Sequence, residues 1–242
     1  MPESKKEIKE RLDYLAHKYN VPAFAESDPV QFPRRYEHIR DIEITGLITS
    51  VISWGKREMI LRNMNRILDK MNHSPSDFIM NKEWEKMKDS EINLHRTFFE
   101  HDLYQISKSL YDFYSTNDSL EILFTDSVTE GLNELASLTN SRHIASPDKK
   151  SPCKRTNLFL RWMTRKDGIV DLGIWKNVDP ATLIIPLDVH VGRTARLLWK
   201  ELPNSNNMKT ALAITDKLKE LHPSDPCLYD FALFGFGVEG MK

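Results

Sequence analysis

Two stretches, S-P-C-K-R-T-N-L-F-L-R-W-M from Ser151 to Met163 and I-P-L-D-V-H-V-G-R-T-A-R-L-L from Ile185 to Leu198, organise the chain. Each reads as the start of a helix, one led by Lys154 and the other by Asp188. At about 100° per residue, Lys154, Arg161 and Arg165 fall on one stripe, with Phe159, Leu160 and Met163 roughly opposite, so one face packs and the other is positive. In the second helix Val191, Ala195, Leu198 and Leu202 form the buried face, while Arg193, Arg196 and Lys200 cluster on another. An amine and a carboxylate at two helix N-termini are a candidate catalytic pair.

Working outward, Ile8, Leu12, Leu15 and Tyr19 make one apolar stripe of a surface helix from Lys5 to Tyr19. The proline-bearing segment from Val21 to Tyr36 has no sustained period and reads as an extended crossing between lobes. From Ile39 to Ile52 apolar residues fall on nearly every side of a helical wheel, which predicts a central helix buried all round. Ser53-Trp54-Gly55 breaks that pattern before a second helix carrying Ile60, Met64, Ile67, Leu68 and Met71 on one face, so the two form a helical hairpin.

Ser74-Pro75-Ser76-Asp77 reads as an N-cap serine and first-turn proline. Further helices follow on the spacings of Phe99 to Phe113 and Val128 to Leu138, from about Met208 to Leu221 and from Tyr229 to Phe236, with a loop from Thr139 to Pro152. The one alternating run, Leu183 to Leu187, is too short for a sheet. The fold class is all-α, without internal repeats.

Composition limits what this fold can do. At 242 residues and 40% apolar content the chain can bury a sizeable core in one domain or two closely packed lobes. The formal charge of -1 excludes a uniformly basic coat, yet between Asp148 and Asp167 seven basic residues stand against two acidic ones. Cys153 and Cys227 are too few for a disulfide framework or a four-cysteine metal or cluster site. M-P-E-S-K-K-E carries no apolar leader, and no run of about 18 apolar residues occurs, so the expectation is a soluble, cytoplasmic protein.

The P-L-D-V-H-V-G-R-T-A-R segment resembles the V-D-T-H-x-x-R element of the helix-hairpin-helix (HhH-GPD) DNA glycosylase superfamily, the endonuclease III and 8-oxoguanine glycosylase relatives. Lys154-Arg155-Thr156-Asn157 is similar to the K-T-A-N that opens the helix after their hairpin. Leu47 to Ser53 is similar to the L-I-x-x-x-L-S of their early core helix, and all three stand in the family's order. D-P-x-Q-F-P, D-L-G-I-W and Y-D-F-A-L-F-G-F-G look like a bacterial family forming an outlying branch of that superfamily, distantly similar to archaeal 8-oxoguanine glycosylases. The resemblance spans roughly Asp28 to Gly237.

The chain departs from the pattern in three ways. Ser151-Pro152-Cys153 stands where the hairpin signature L-P-G-x-G is expected, the gap from Lys154 to Asp188 is longer than in endonuclease III, and the terminal iron-sulfur cysteines are absent. The resemblance implies a single unit over residues 1–242 with two helical lobes, one over about 40–160 and the other over about 1–35 plus 165–242. It also implies damaged duplex DNA in a cleft between the lobes, and neither metal nor cofactor. Lys154 matches the amine nucleophile and Asp188 the essential carboxylate.

The residues' own chemistry is compatible with those roles. A free lysine is neutral only about once in 2,500 molecules at pH 7, so an attacking amine needs help. Arg155, Lys149, Lys150 and a helix N-terminus all disfavour an ammonium. Backbone N–H groups and the helix dipole favour an anion at Asp188, which could steady positive charge on the sugar or take a proton from the amine. Extruding a nucleotide costs a few kcal/mol, commonly offset by an apolar wedge; Trp54, beside Lys56 and Arg57, is the candidate.

Lys149, Lys150, Arg155, Arg161, Arg165, His190, Arg193 and Arg196 complete the candidate nucleic-acid contacts. Lys149 and Lys150 also rival Lys154 as nucleophile. The bland readings are a helix cap for Asp188, a core residue for Trp54, a structural hydrogen bond for His190 and a solvated face for Arg193 and Arg196. Asp171 and Trp175 read as fixing the loop between the motifs, with a role in the pocket as the alternative. The leading expectation is a base-excision glycosylase, with AP-lyase activity and 8-oxoguanine as candidate lesion. The alternatives are a nucleic-acid-binding protein that kept the fold without the chemistry, and an interaction protein using the cleft for another ligand.

Overall fold

A computed structural model describes residues 4–239, with side chains to residue 237; the outermost residues of the 1–242 span lie outside the described residues. The protein is all-α, apart from one short hairpin among the described residues. Helix α1 (Lys5–Tyr19) coincides with the expected amphipathic helix and opens with a capping box, Ser4 and Glu7 satisfying each other's free backbone N–H.

The segment expected to be extended is instead folded into turns. It forms α2 (Pro22–Ser27) and two 3-10 turns, Pro29–Gln31 and Pro33–Arg35. Each proline begins a turn, because its fixed φ suits a first helical position, where no N–H is needed.

The chain divides into two compact units, residues 27–146 and residues 1–26 plus 147–242. The first contains α3 (Ile39–Ile52), buried from Ile42 to Ile52, and α4 (Arg57–Lys70), the hairpin expected from the apolar pattern. Glu43, inside α3, is fully buried, yet its carboxylate accepts from the Tyr114 hydroxyl at 2.8 Å and the Leu120 N–H at 3.0 Å. Those bonds make its burial tolerable and fix the turn after the later helix.

Helix α5 (Pro75–Met80) has the expected proline start, but Ser74 makes no capping bond. Asp41 from α3 accepts from the Ser76 N–H at 2.7 Å instead, a tertiary cap that no local pattern could reveal. Strands β1 (Asn93–His95) and β2 (Phe98–Phe99) form the antiparallel hairpin; Leu183 to Leu187 is irregular. Helices α6 (Glu100–Tyr114) and α7 (Val128–Thr139) complete this unit.

The second unit holds α1 and most of α2 with α8 (Lys154–Thr164), α9 (Val189–Leu198), α10 (Met208–Lys219) and α11 (Tyr229–Glu239). The boundary expected near residues 160–165 falls before Pro147, and α8 groups with α9 rather than with residues 40–146. The reason is ionic, since the arginines of α8 are bound by aspartates that follow it in the chain. Tyr229 of α11 donates to Asp13 of α1 at 2.7 Å, and Phe24 meets Phe231 and Phe234 edge-on at 5.4 Å. No described helix is long and apolar enough to cross a membrane.

Candidate functional site

The loop entering α8 makes its turn without glycine. Lys150 and Cys153 both take left-handed backbone, with φ of 60° and 49°, a region that costs an L residue roughly 1–2 kcal/mol and glycine almost nothing. Asn157, one turn into the helix, donates its amide to the Pro152 carbonyl at 3.0 Å and holds that turn against the helix start. Burial pushes the Cys153 thiol up to about 11, so it is not an activated nucleophile.

Asp188 is the N-cap of α9. Its Oδ1 accepts from the N–H groups of His190 and Val191, each at 2.9 Å, which leaves Oδ2 to face another group. That group is Lys154, whose Nζ lies 3.8 Å from Oδ2, with both side chains about a third exposed. The resting arrangement is thus a solvent-reachable ion pair at the mouths of two helices. The chemistry expected of Lys154 requires this pair to open, because an ammonium has no lone pair with which to attack.

The positive stripe of α8 is not a surface. Arg161 and Arg165 retain only 4% and 1% exposure, which corrects their assignment as nucleic-acid contacts. Arg161 donates to Asp171 at 3.2 Å and to Asp230 in a very short contact. Arg165 donates to Asp225 through Nε and Nη2, each at 2.9 Å, and pairs with Asp167 at 2.9 Å and with Asp171. Burial opposes the charge of Arg165, but Asp171, Asp225 and Asp167 overcome it and hold the guanidinium charged. Burial pushes the Asp171 carboxyl up, with both arginines opposing that shift.

Burial likewise raises Asp230, Arg161 opposes it, and Asp188 and Lys154 add smaller pushes of opposite sign. The ionic core therefore lies within electrostatic reach of the Lys154–Asp188 pair. Nothing local marks Asp225 and Asp230: an Asp before Pro226 and another in Y-D-F-A carry no sign of the arginines they meet.

The D-L-G-I-W segment is structural, as its residue types suggest. Asp171 serves both arginines, Trp175 is fully buried with its ring edge-on to Phe159 at 5.4 Å, and Gly173 sits at φ +61°. A Cβ on Gly173 would stand 2.6 Å from the Arg165 carbonyl oxygen.

The remaining candidates divide by exposure. Lys149, Lys150, His190 and Arg193 are exposed, whereas Arg155 is half-buried and burial pulls its guanidinium pKa down. Arg196 is a further correction. Half-buried, it donates from Nε to the Pro203 carbonyl at 2.7 Å and from Nη2 to the Ser205 carbonyl at 3.1 Å and Asn206 Oδ1 at 2.7 Å, so it pins a loop.

In the other unit, Lys56 and Arg57 are exposed, and Arg57 reaches Asp28 at 4.0 Å. Trp54 is half-buried, with the Arg96 guanidinium over its ring at 4.5 Å and His95 edge-on at 5.7 Å. His95 also bridges the Trp54 carbonyl at 2.9 Å and Asn63 at 3.0 Å, so the hairpin buttresses the 54–57 turn. Arg96, brought there by the hairpin, has no signal in the helical periodicities.

Fold and site together define an all-α protein with a lysine–aspartate ion pair at two adjoining helix starts, backed by a buried arginine–aspartate core. Residues 28–239 match the family described as "Protein of unknown function (DUF2400)", and the chain belongs to that family. No curated protein and no solved structure matches it.

Proposed function

We propose that this protein is a DNA base-excision glycosylase with AP-lyase activity, using Lys154 as nucleophile and Asp188 as its carboxylate partner. The two-lobed fold of the helix-hairpin-helix glycosylases, with duplex DNA in the cleft, and a cytoplasmic location belong to the same proposal. The observation that carries it is the 3.8 Å approach of Lys154 Nζ to Asp188 Oδ2, at helix starts separated by 34 residues in sequence. Two left-handed residues at the turn before α8 lend further support, because they give a tight turn in the place of the glycine signature.

In this scheme the ion pair opens, the Lys154 ammonium gives one proton to water, and the neutral amine attacks the sugar C1′. The C1′–base bond breaks with its electron pair leaving on the base, which takes a proton from water. Opening of the resulting aminal leaves an iminium at C1′ that borohydride reduces to a stable adduct. While positive charge grows on the sugar, the Asp188 anion lowers its energy.

The test is borohydride trapping on duplex oligonucleotides carrying 8-oxoguanine or an abasic site. An adduct that vanishes in Lys154→Gln and weakens in Asp188→Asn is the expected result. An adduct that persists in Lys154→Gln moves the nucleophile to Lys149 or Lys150. Absence of both adduct and base release on a wider lesion panel defeats the enzymatic reading.

A further inference from the structure

The loop from Pro203 to Asn207 is tied to its surroundings by more polar bonds than a connector between α9 and α10 needs. Thr210 Oγ1 donates to the Ser205 carbonyl at 2.6 Å, and Asn207 caps α10 by accepting from the Thr210 N–H at 3.0 Å. From the other side, Arg196 donates to Pro203, Ser205 and Asn206, as described above. Asn206 then turns its amide onto the Asp188 main chain, donating from Nδ2 to the carbonyl oxygen at 3.3 Å. The same oxygen accepts the first helical bond of α9, from the Gly192 N–H at 2.9 Å.

Space for this arrangement depends on one residue. A Cβ on Gly192 would stand 2.5 Å from Asn206 Oδ1 and 2.9 Å from Arg196 Nη1, closer than real atoms approach, so any side chain there displaces the pair.

We infer that Arg196 and Asn206 form a clamp that positions Asp188, with Gly192 leaving the room for it. The clamp holds the carbonyl of Asp188 while the His190 and Val191 N–H groups hold its Oδ1. With both ends of the residue fixed, Oδ2 is presented to Lys154 in one direction. Arg196 and Asn206 are positioning residues, since neither is placed against the reacting atoms. The lysine alternative at position 196 keeps the charge but cannot fork between three acceptors. The functional half of this inference rests on the glycosylase reading; the structural half does not.

The test uses the full-length protein with Asn206→Ala, Arg196→Lys and Gly192→Ala. Amide exchange at His190 and Val191, followed by NMR, is expected to speed up about fivefold in Asn206→Ala, as loss of one net hydrogen bond implies. The melting temperature and the exchange of α1 amides should stay near wild type. Gly192→Ala, which displaces the clamp by collision, should reproduce the local change; if it fails to fold, Asn206→Ala and Arg196→Lys decide. Trapping rates should fall in step with the loss of protection.

Unchanged exchange at His190 and Val191 overturns the inference. Faster exchange with trapping at the wild-type rate overturns the functional half and leaves the clamp structural only. If wild type gives no adduct at all, the glycosylase reading falls, and the exchange arm still decides whether the clamp orders Asp188.

Discussion

Replacing Asp171 by Asn tests the ionic core that underlies the site. The substitution keeps size and removes one charge from a carboxylate with no exposed surface. Asp171 serves both arginines, accepting from Arg161 Nε at 3.2 Å and pairing closely with Arg165. Stripping one partner from a buried ion pair costs about 3–5 kcal/mol, because it leaves a charge poorly compensated away from water.

Here neither arginine is orphaned. Arg161 keeps Asp230, and Arg165 keeps Asp225 and Asp167. The loss should therefore lie at the lower end, about 3 kcal/mol, or a fall of roughly 6–12 °C in melting temperature for a chain of this size.

Asp225→Asn removes a partner from Arg165 alone, at a position still partly open to water, and should cost less, about 1–2 kcal/mol. Urea unfolding followed by far-UV circular dichroism, with matched thermal scans, measures both. A double substitution, Asp171→Asn with Arg165→Met, should cost less than the sum of the single losses, because the second change removes the charge that the first left exposed to desolvation. If Asp171→Asn costs less than Asp225→Asn, or stabilises the protein, the charged network is not what holds α8 to the residues after it.

Four further outcomes follow from the geometry. Asp188→Asn keeps an N-cap acceptor and should leave stability within about 0.5 kcal/mol of wild type, while Asp188→Ala loses the cap and about 1 kcal/mol; equal losses in urea titrations would contradict the capping role. Gly173→Ala combines a left-handed backbone with a 2.6 Å collision at the Arg165 carbonyl and should cost about 2 kcal/mol or more, read from the denaturation midpoint. Lys150→Gly relieves an exposed left-handed residue and should stabilise by about 0.5–1 kcal/mol; destabilisation would argue that the Lys150 side chain holds the turn.

The fourth outcome concerns acid. Burial raises Asp102, but Arg142, the Phe99 N–H and His143 together hold its carboxyl below the usual 3.8, and Lys70 and Ser90 do the same for Glu100 against its burial. A depressed carboxylate contributes stability above its unfolded value and loses it as pH falls through the folded one. Thermal stability should therefore decline as pH drops from about 5 toward 3, and Asp102→Asn should flatten that decline.

The local elements were legible in the sequence because each rests on residues a few positions apart. The stripe of Ile8, Leu12 and Leu15 marks α1, the all-round apolar run marks α3, and Asp188 was recognisable as a cap from its neighbours alone. Lys154 at the first position of α8 was legible for the same reason.

What the chain alone could not disclose is which charges meet. Arg161 and Arg165 share a stripe with Lys154, and periodicity gives that stripe a single character. Asp171 just beyond the helix and the return of the chain with Asp225 and Asp230, more than 50 residues on, together turn two arginines inward while the lysine stays at the surface. Arg196 likewise reads along the chain as a phosphate contact or a solvated cation, whereas the loop at residues 203–206 folds back onto it. Helix periodicity and capping are properties of neighbours along the chain, and the sequence determined them. Burial of a charge depends on partners supplied from elsewhere, and that was decided by the tertiary structure.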